Sequence, residues 1–190
     1  MAKTGFEYIV VGKLDESVSK SCETAAYTEG MYLGPSSTFN GTPSANDVKD
    51  YGDDRAVETD TSVSGGTLSV ELNESTLEIK SFLLGHSHAE ENGMVSNAND
   101  IAPYIGIGAV GKSKRNNKYK YTGKFYLKVQ FREPGDDNQT KQENVTFTHT
   151  TLEGSLFTLE NGDWKDEKEF ETLAEAKAWL DQKVGILGES

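Results

Sequence analysis

The chain has 190 residues and a formal net charge of −12, from 19 basic and 31 acidic side chains. This length suits one domain with its own core, so we predict a single domain over residues 1–190. The negative charge opposes binding to DNA or RNA through phosphate neutralisation. No apolar run is long enough for a transmembrane helix, and the N-terminus lacks the apolar segment of a signal peptide. A single cysteine, Cys22, allows no internal disulfide, and we expect synthesis in the cytoplasm.

The first part of the chain combines two candidate strands with a polar stretch. Residues 6–14 and 25–33 predict strands that can pair with each other. Residues 34–54 are rich in turn sequences such as Gly34-Pro35 and Asn40-Gly41, with almost no apolar content. We therefore predict a long loop at 34–54. A loop of this length in a compact domain is functional, disordered or wrongly assigned.

A β-hairpin is predicted directly after this loop. Polar and apolar residues alternate over residues 57–64 and again over 67–72, which indicates two strands with one apolar face each. Gly65-Gly66 lies between them, and glycine readily adopts the positive φ angles of a two-residue hairpin turn.

The strongest strand signals lie in the second half of the chain. Residues 103–111 and 119–132 predict two strands joined by a turn at Asn116-Asn117. Further strands are predicted over 143–149 and 151–159. Within 119–132 the residues predicted to share one face are Phe125, Leu127, Val129 and Phe131. Those predicted on the opposite face are Lys124, Tyr126, Lys128, Gln130 and Arg132.

Two helices are predicted from capping-box sequences. Ser75 with Glu78 opens a short helix, and Thr172 with Glu175 opens an amphipathic helix over residues 173–184. The glycines that would end them are Gly85 and Gly185. The elements together predict a mainly β (α+β) fold flanked by one short helix, with an amphipathic helix near the C-terminus.

The basic residues are concentrated in one part of the chain. Eight lysines and arginines and no acid lie between Ile101 and Arg132, so the rest carries 11 basic and 31 acidic side chains. This distribution fits a protein with faces of opposite charge. It equally fits a solvated lysine-rich hairpin in an acidic protein, and the sequence leaves both interpretations open.

No catalytic, cofactor or metal site is predicted. His86 and His88, near Glu90 and Glu91, contain metal-ligand types, but their position after a helix end favours exposed loop histidines. The glycines from Gly106 to Gly111 imitate a phosphate-binding loop, yet they lead into a hairpin and not into a helix N-terminus. The aspartates at 47, 50, 53 and 54 lack the spacing of a calcium loop.

The order of several short motifs resembles that of the major tail proteins of bacteriophages with long non-contractile tails. None of the motifs is diagnostic alone, and the likeness extends from about Phe6 to Ile186. In chain order, the motifs are Tyr-Gly-Asp-Asp at 51–54, Gly-Thr-Leu-Ser-Val-Glu-Leu at 66–72, Leu-Leu-Gly at 83–85, Pro-Tyr-Ile-Gly-Ile-Gly at 103–108, Lys-Phe-Tyr-Leu at 124–127, the segment 143–147 and Thr-Leu-Glu-Gly at 151–154.

The resemblance implies a non-enzymatic tail tube subunit with a β-sandwich or barrel-like fold. It implies hexameric rings that stack around a lumen through which DNA passes without specific binding, and further contacts with tape measure and tail terminator proteins. The protein would belong to the virion tail, made in the bacterial cytoplasm, with no cofactor and no membrane. The candidate contacts between rings are Phe39, Asp47, Tyr51, Asp53, Asp54, Lys114, Arg115 and Lys118.

Two alternatives stay open at this stage. One is a β-sandwich binding module that recognises a carbohydrate or protein through residues 34–54. The other is a hydrolase that uses His86, His88 and acidic partners.

Overall fold

The structure is a computed structural model that describes residues 2–45, 48–52, 55–60, 62–89, 93–115, 117–135 and 149–186. It confirms the predicted fold class, because the described chain is mainly β-strand with two short helices. The strands are β1 (Ala2–Leu14), β2 (Tyr27–Tyr32), β3 (Ser36–Ala45), β4 (Val48–Gly52), β5 (Arg55–Asp60), β6 (Val63–Leu72), β7 (Ser87–Ala89), β8 (Gly93–Val95), β9 (Ile105–Arg115), β10 (Lys118–Phe131), β11 (Thr150–Phe157) and β12 (Lys165–Phe170). The helices are α1 (Leu77–Leu84) and α2 (Leu173–Val184).

One large antiparallel sheet contains eight of these strands. Its hydrogen-bonding order is β2-β1-β9-β10-β11-β6-β3, and β12 pairs with the first half of β10, beside the stretch that pairs with β11. The sheet curls until β3 faces β1, where the ring centroids of Phe6 and Phe39 are 6.0 Å apart. The described parts of β1 and β3 share no hydrogen-bonded pairing, so the curled sheet stays open between them.

The described residues of the range 34–54 do not form the predicted long loop, because most of them lie in β3 and β4. β3 pairs antiparallel with β6, from Ser36 opposite Leu72 to Ala45 opposite Val63. β4 then pairs with β5, so that β3 to β6 form one long hairpin with two pairings in series. The polar composition misled the prediction, because a strand at the end of a sheet with an exposed face needs few apolar residues and tolerates proline.

The predicted turn at Gly65-Gly66 is also wrong, because both glycines lie inside β6. Gly65 has a φ of +153°, next to a shift in the register of β3 and β6. A Cβ atom on Gly66 would lie 2.4 Å from the carbonyl oxygen of Thr42 on β3. Gly65 therefore lies at a β-bulge, and Gly66 allows the close approach of β3 to β6. The partner of β5 is β4 instead of β6.

β10 buries both of its faces. Phe125 and Leu127 pack in one apolar cluster, whereas Tyr126, Val129 and Phe131 pack in the other. The register with β9 shifts between Tyr126 and Val129, and this bulge reverses the alternation along the strand. The single apolar face predicted from Phe125 to Phe131 is therefore wrong.

The two clusters lie on opposite sides of the sheet. The inner cluster fills the concave side between β1, β9 and β6, and α1 adds Leu83 and Leu84 to it. The outer cluster lies under α2, whose Ala176, Leu180 and Val184 are fully buried. Burial of apolar side chains is the main source of stability in such a fold, so α2 is an integral part of the domain.

The helix predictions are confirmed apart from one cap. Thr172 and Glu175 form the predicted capping box, and α2 covers the predicted residues. α1 begins after Thr76 instead of Ser75, since the Thr76 hydroxyl accepts a hydrogen bond from the backbone N–H of Ile79 at 3.2 Å. Both helices end at a glycine in the left-handed conformation, as predicted.

The β9–β10 hairpin is confirmed as well. Asn117 has a φ of +60° at its tip, where Arg115 pairs with Lys118. β1, β2 and β11 confirm the strands predicted over 6–14, 25–33 and 151–159, and β1 pairs with β2 as expected. The strand predicted over 143–149 lies almost entirely outside the described residues, as does Asn116. β12 was not predicted.

Candidate assembly surfaces

The far half of the long hairpin is a separate two-stranded ribbon made of β4 and β5. Tyr51, a predicted contact, lies on β4, with its backbone opposite Ala56. Within the described residues, neither strand of the ribbon pairs with a third. Asp47, Asp53 and Asp54, which were also predicted as contacts, lie outside the described residues. Between residues 47 and 60 the sequence has six acids and two bases, so the ribbon belongs to an acidic part of the chain.

The three basic residues predicted as contacts come together at the tip of the β9–β10 hairpin. Arg115 pairs with Lys118 across the turn, and Lys114 pairs with Tyr119 one step further from it. The Lys114 ammonium lies 5.5 Å from the centre of the Tyr119 ring, a cation–π distance. Lys118 and Tyr119 are both exposed. The tip therefore presents basic and aromatic groups to solvent.

Further along β10 the basic residues are paired inside the chain. β12 lies beside β10 and supplies acids: Lys124 lies 3.4 Å from Glu167, and Lys120 lies 3.8 Å from Glu169. Lys128 lies 2.7 Å from Glu16. Much of the basic segment is thus neutralised locally. Both interpretations of the charge pattern hold in part, with a paired region along β10 and an exposed basic tip.

Phe39 lies in a different environment from the other predicted contacts. It is half-buried on β3, and its ring lies 6.0 Å from Phe6 and 5.8 Å from Tyr126. The side chain therefore packs against the inner cluster of its own chain. A contact with a neighbouring ring of subunits would involve only the exposed part of the Phe39 side chain. The role of Phe39 in such a contact stays a prediction.

The large sheet has several strand edges without a partner. Within the described residues, the first half of β1 pairs only with β9, β3 pairs only with β6, and β12 pairs only with β10. Such edges present unpaired backbone N–H and C=O groups and readily accept another strand.

His86 is held by carboxylates on both sides of its ring. Its Nδ1 atom lies 2.8 Å from Asp100 Oδ2, and its Nε2 atom lies 2.7 Å from Glu133 Oε2. The hydrogen bond to Asp100, followed by the one to Glu133, raises the pKa of His86. When the ring is protonated, both of its N–H groups donate to these carboxylates, and no ring lone pair is left for a metal. The arrangement links three chain segments, and its geometry is that of a structural ion pair.

The other two histidines have different surroundings. His88 lies on β7, and His149 Nδ1 is 3.0 Å from the side-chain oxygen of Asn73. Glu90 and Glu91 lie outside the described residues, and the described residues contain no group of three or more metal-binding side chains. Of the four candidate metal ligands considered in the sequence, only His86 and His88 therefore lie among the described residues.

Sequence reasoning missed the true partners of His86 and the acidic strand β12. Asp100 and Glu133 are 14 and 47 residues from His86, and no local pattern connects them. The Lys-Asp-Glu-Lys-Glu-Phe sequence of β12 lacks the apolar alternation by which strands are recognised.

No protein-family model matches this sequence, and no curated protein matches it significantly. In the part of the chain that the structure describes, neither helix has the length and apolar character needed to span a bilayer.

Proposed function

We propose that this chain is a structural subunit of a bacteriophage tail tube, which assembles as stacked hexameric rings. The observation that carries the proposal is the β4–β5 ribbon, which continues the hairpin beyond the large sheet. An isolated two-stranded ribbon is at best marginally stable in water and needs a third strand or a packed face. A neighbouring copy of the chain can supply either.

The type of contact determines the type of assembly. If the ribbon of one subunit packs on a different surface of the next, the contact is head-to-tail. Such a contact repeats without limit along an axis and produces a filament. The free edges of β1, β3 and β12 provide a second direction of growth, because neighbouring sheets can join edge to edge within a ring.

Charge supports the same arrangement. The ribbon sequence is acidic, and the β9–β10 tip carries Lys114, Arg115 and Lys118. Surfaces of opposite charge favour association in one orientation and oppose others.

An acidic lumen would repel the phosphates of DNA and let it slide. The tape measure and tail terminator proteins would be the further partners.

The alternative of a binding module is no longer supported by the feature on which it was based. It relied on a recognition loop at residues 34–54, and those described positions form β3 and β4 instead. The hydrolase alternative relied on a cluster at His86 and His88, whereas both nitrogens of His86 are engaged by carboxylates.

Negative-stain electron microscopy of concentrated protein, together with light scattering, tests the proposal. We expect rings or tubes. A double variant, Lys114→Glu with Lys118→Glu, should weaken stacking, and more so at low salt because salt screens exposed charges. Lys20→Glu is a matched control, since Lys20 is an exposed lysine on a different part of the chain. A protein that stays monomeric at all concentrations and salts would refute the tube subunit.

A further inference from the structure

A cleft of about 420 Å³ opens between β1, β3, β9 and β10. It exists because the inward-facing side chains of β9 become smaller along the strand. Ile105 and Ile107 fill the inner cluster, but Ala109, Gly111 and Ser113 follow on the same face. The volume is within the range of small-molecule sites, about 300–1,000 Å³. The cleft is therefore a consequence of specific small residues at the end of a filled core.

One wall of the cleft is aromatic. Phe6 on β1, Phe39 on β3 and Tyr126 on β10 form a continuous row, with ring centroids 6.0 Å and 5.8 Å apart. Such a wall can bury the apolar body of a ligand on aromatic faces and edges.

The polar groups of the cleft are positioned to bind an anion. Tyr126 is 5% exposed, and its hydroxyl borders the cleft beside Gly41. This hydroxyl makes no hydrogen bond with another described residue. A tyrosine hydroxyl at the edge of a cleft can donate a hydrogen bond to a ligand acceptor. Lys124 also lines the cleft. Lys124 lies 3.4 Å from Glu167, which also lies 3.2 Å from Lys165, so these three side chains together carry one net positive charge.

The described residues that line the cleft include no acid, although the whole chain has a charge of −12. We propose that this cleft binds a small apolar carboxylate, with its apolar body on Phe6 and Phe39 and its carboxylate on the Tyr126 hydroxyl and the Lys124 ammonium. The site goes beyond the assembly function and does not depend on it.

The probe is 4-phenylbutyrate, and its matched control is 4-phenylbutanamide, which has the same body without the charge. Saturation-transfer NMR and calorimetry on the full chain should show saturable binding of the acid. The amide should bind about tenfold more weakly or worse, because hydrogen bonds to a charged group are the stronger ones.

Three variants locate the binding. Gly111→Val fills the cleft, and the backbone tolerates it because a Cβ there meets only the Thr122 carbonyl oxygen, at 3.6 Å. Tyr126→Phe removes one hydroxyl and keeps the ring. Lys124→Gln removes the charge. The first should abolish binding, and each of the others should weaken binding of the acid by about tenfold, with little effect on the amide.

Two control variants should leave binding unchanged. Gly135→Val adds the same side chain where a Cβ meets no atom of the described residues within 4 Å. Lys20→Gln removes an exposed lysine that pairs with Glu160 and does not line the cleft. Equal affinity for acid and amide, binding unaffected by Tyr126→Phe, or no saturable binding of the acid would each overturn the proposal. If Gly111→Val fails to fold, the Tyr126→Phe comparison decides alone.

Discussion

Phe125 is the side chain whose removal should damage the fold most clearly. It is fully buried on β10, in the outer cluster, with its ring edge-on to Tyr27 at 5.1 Å. Its neighbours on β9 are glycines. A Cβ on Gly106 would lie 2.6 Å from the Phe125 ring, and one on Gly108 would lie 2.7 Å from it.

These contacts set the expected cost of Phe125→Ala. Truncation of a buried phenylalanine costs about 3–5 kcal/mol of unfolding free energy, depending on how far the site collapses. Gly106 and Gly108 have no side chains that can move into the cavity, and the ring pair with Tyr27 contributes a further ~0.5–1.5 kcal/mol. We therefore expect a loss in the upper half of that range, about 4–5 kcal/mol.

Urea unfolding followed by tryptophan fluorescence measures this loss. Tyr119→Ala is the matched control, because it truncates an aromatic residue of the same strand that is 44% exposed, and we expect at most about 1 kcal/mol. Phe131→Ala, on the opposite face and 3% exposed, should cost about 3–5 kcal/mol. A Phe125→Ala protein as stable as Tyr119→Ala would refute the two-faced burial of β10.

Three further predictions concern charge and capping. Asp100 and Glu133 raise the pKa of His86 above its ordinary 6.5. The interaction of protonated His86 with these carboxylates therefore stabilises the folded state fully below pH 6.5, and this stabilisation is lost as pH rises through the raised pKa. The melting temperature should therefore fall with pH in this range, and this pH dependence should be reduced in His86→Gln. Thr172→Ala should cost about 1 kcal/mol in urea unfolding, since it removes a cap. Gel-shift assays near physiological salt should show no binding to duplex DNA.

Local signals in the sequence predicted local structure well. The capping box at Thr172 and Glu175 places a hydroxyl and a carboxylate within one helical turn of the groups they satisfy, so the information lies in four consecutive residues. The same holds for the β9–β10 tip, where Asn117 adopts the left-handed conformation that asparagine tolerates.

Features set by distant pairing were not predictable in this way. Gly65-Gly66 has the composition of a turn, and only the presence of β3 alongside reveals it as a bulge. The alternation from Phe125 to Phe131 is regular in sequence, and the shift of one residue against β9 reverses it. The groups around His86 and the Tyr126 cleft come from segments far apart in the chain, so only the fold brings them together.

Two deletions of similar length separate folding from assembly. Removal of residues 35–49 would be harmless if they formed a loop, because closure entropy varies slowly with length. In the structure this deletion removes β3, which pairs along β6, whose Leu68, Val70 and Leu72 are fully buried. We therefore expect loss of a cooperative thermal transition.

Removal of residues 46–62, with Asn-Gly joining Ala45 to Val63, takes away only the ribbon and its connections. Ala45 already pairs with Val63, so a two-residue turn closes the shortened hairpin there. The described ribbon strands pair only with each other, and the unfolding free energy should change by about 1 kcal/mol or less. If the ribbon joins successive rings, this folded variant should form monomers or single rings and no tubes. If negative-stain microscopy shows that this variant still forms tubes of normal length, stacking depends on another surface. If it shows single rings, the ribbon is needed for stacking, and the sheet edges close the ring without it.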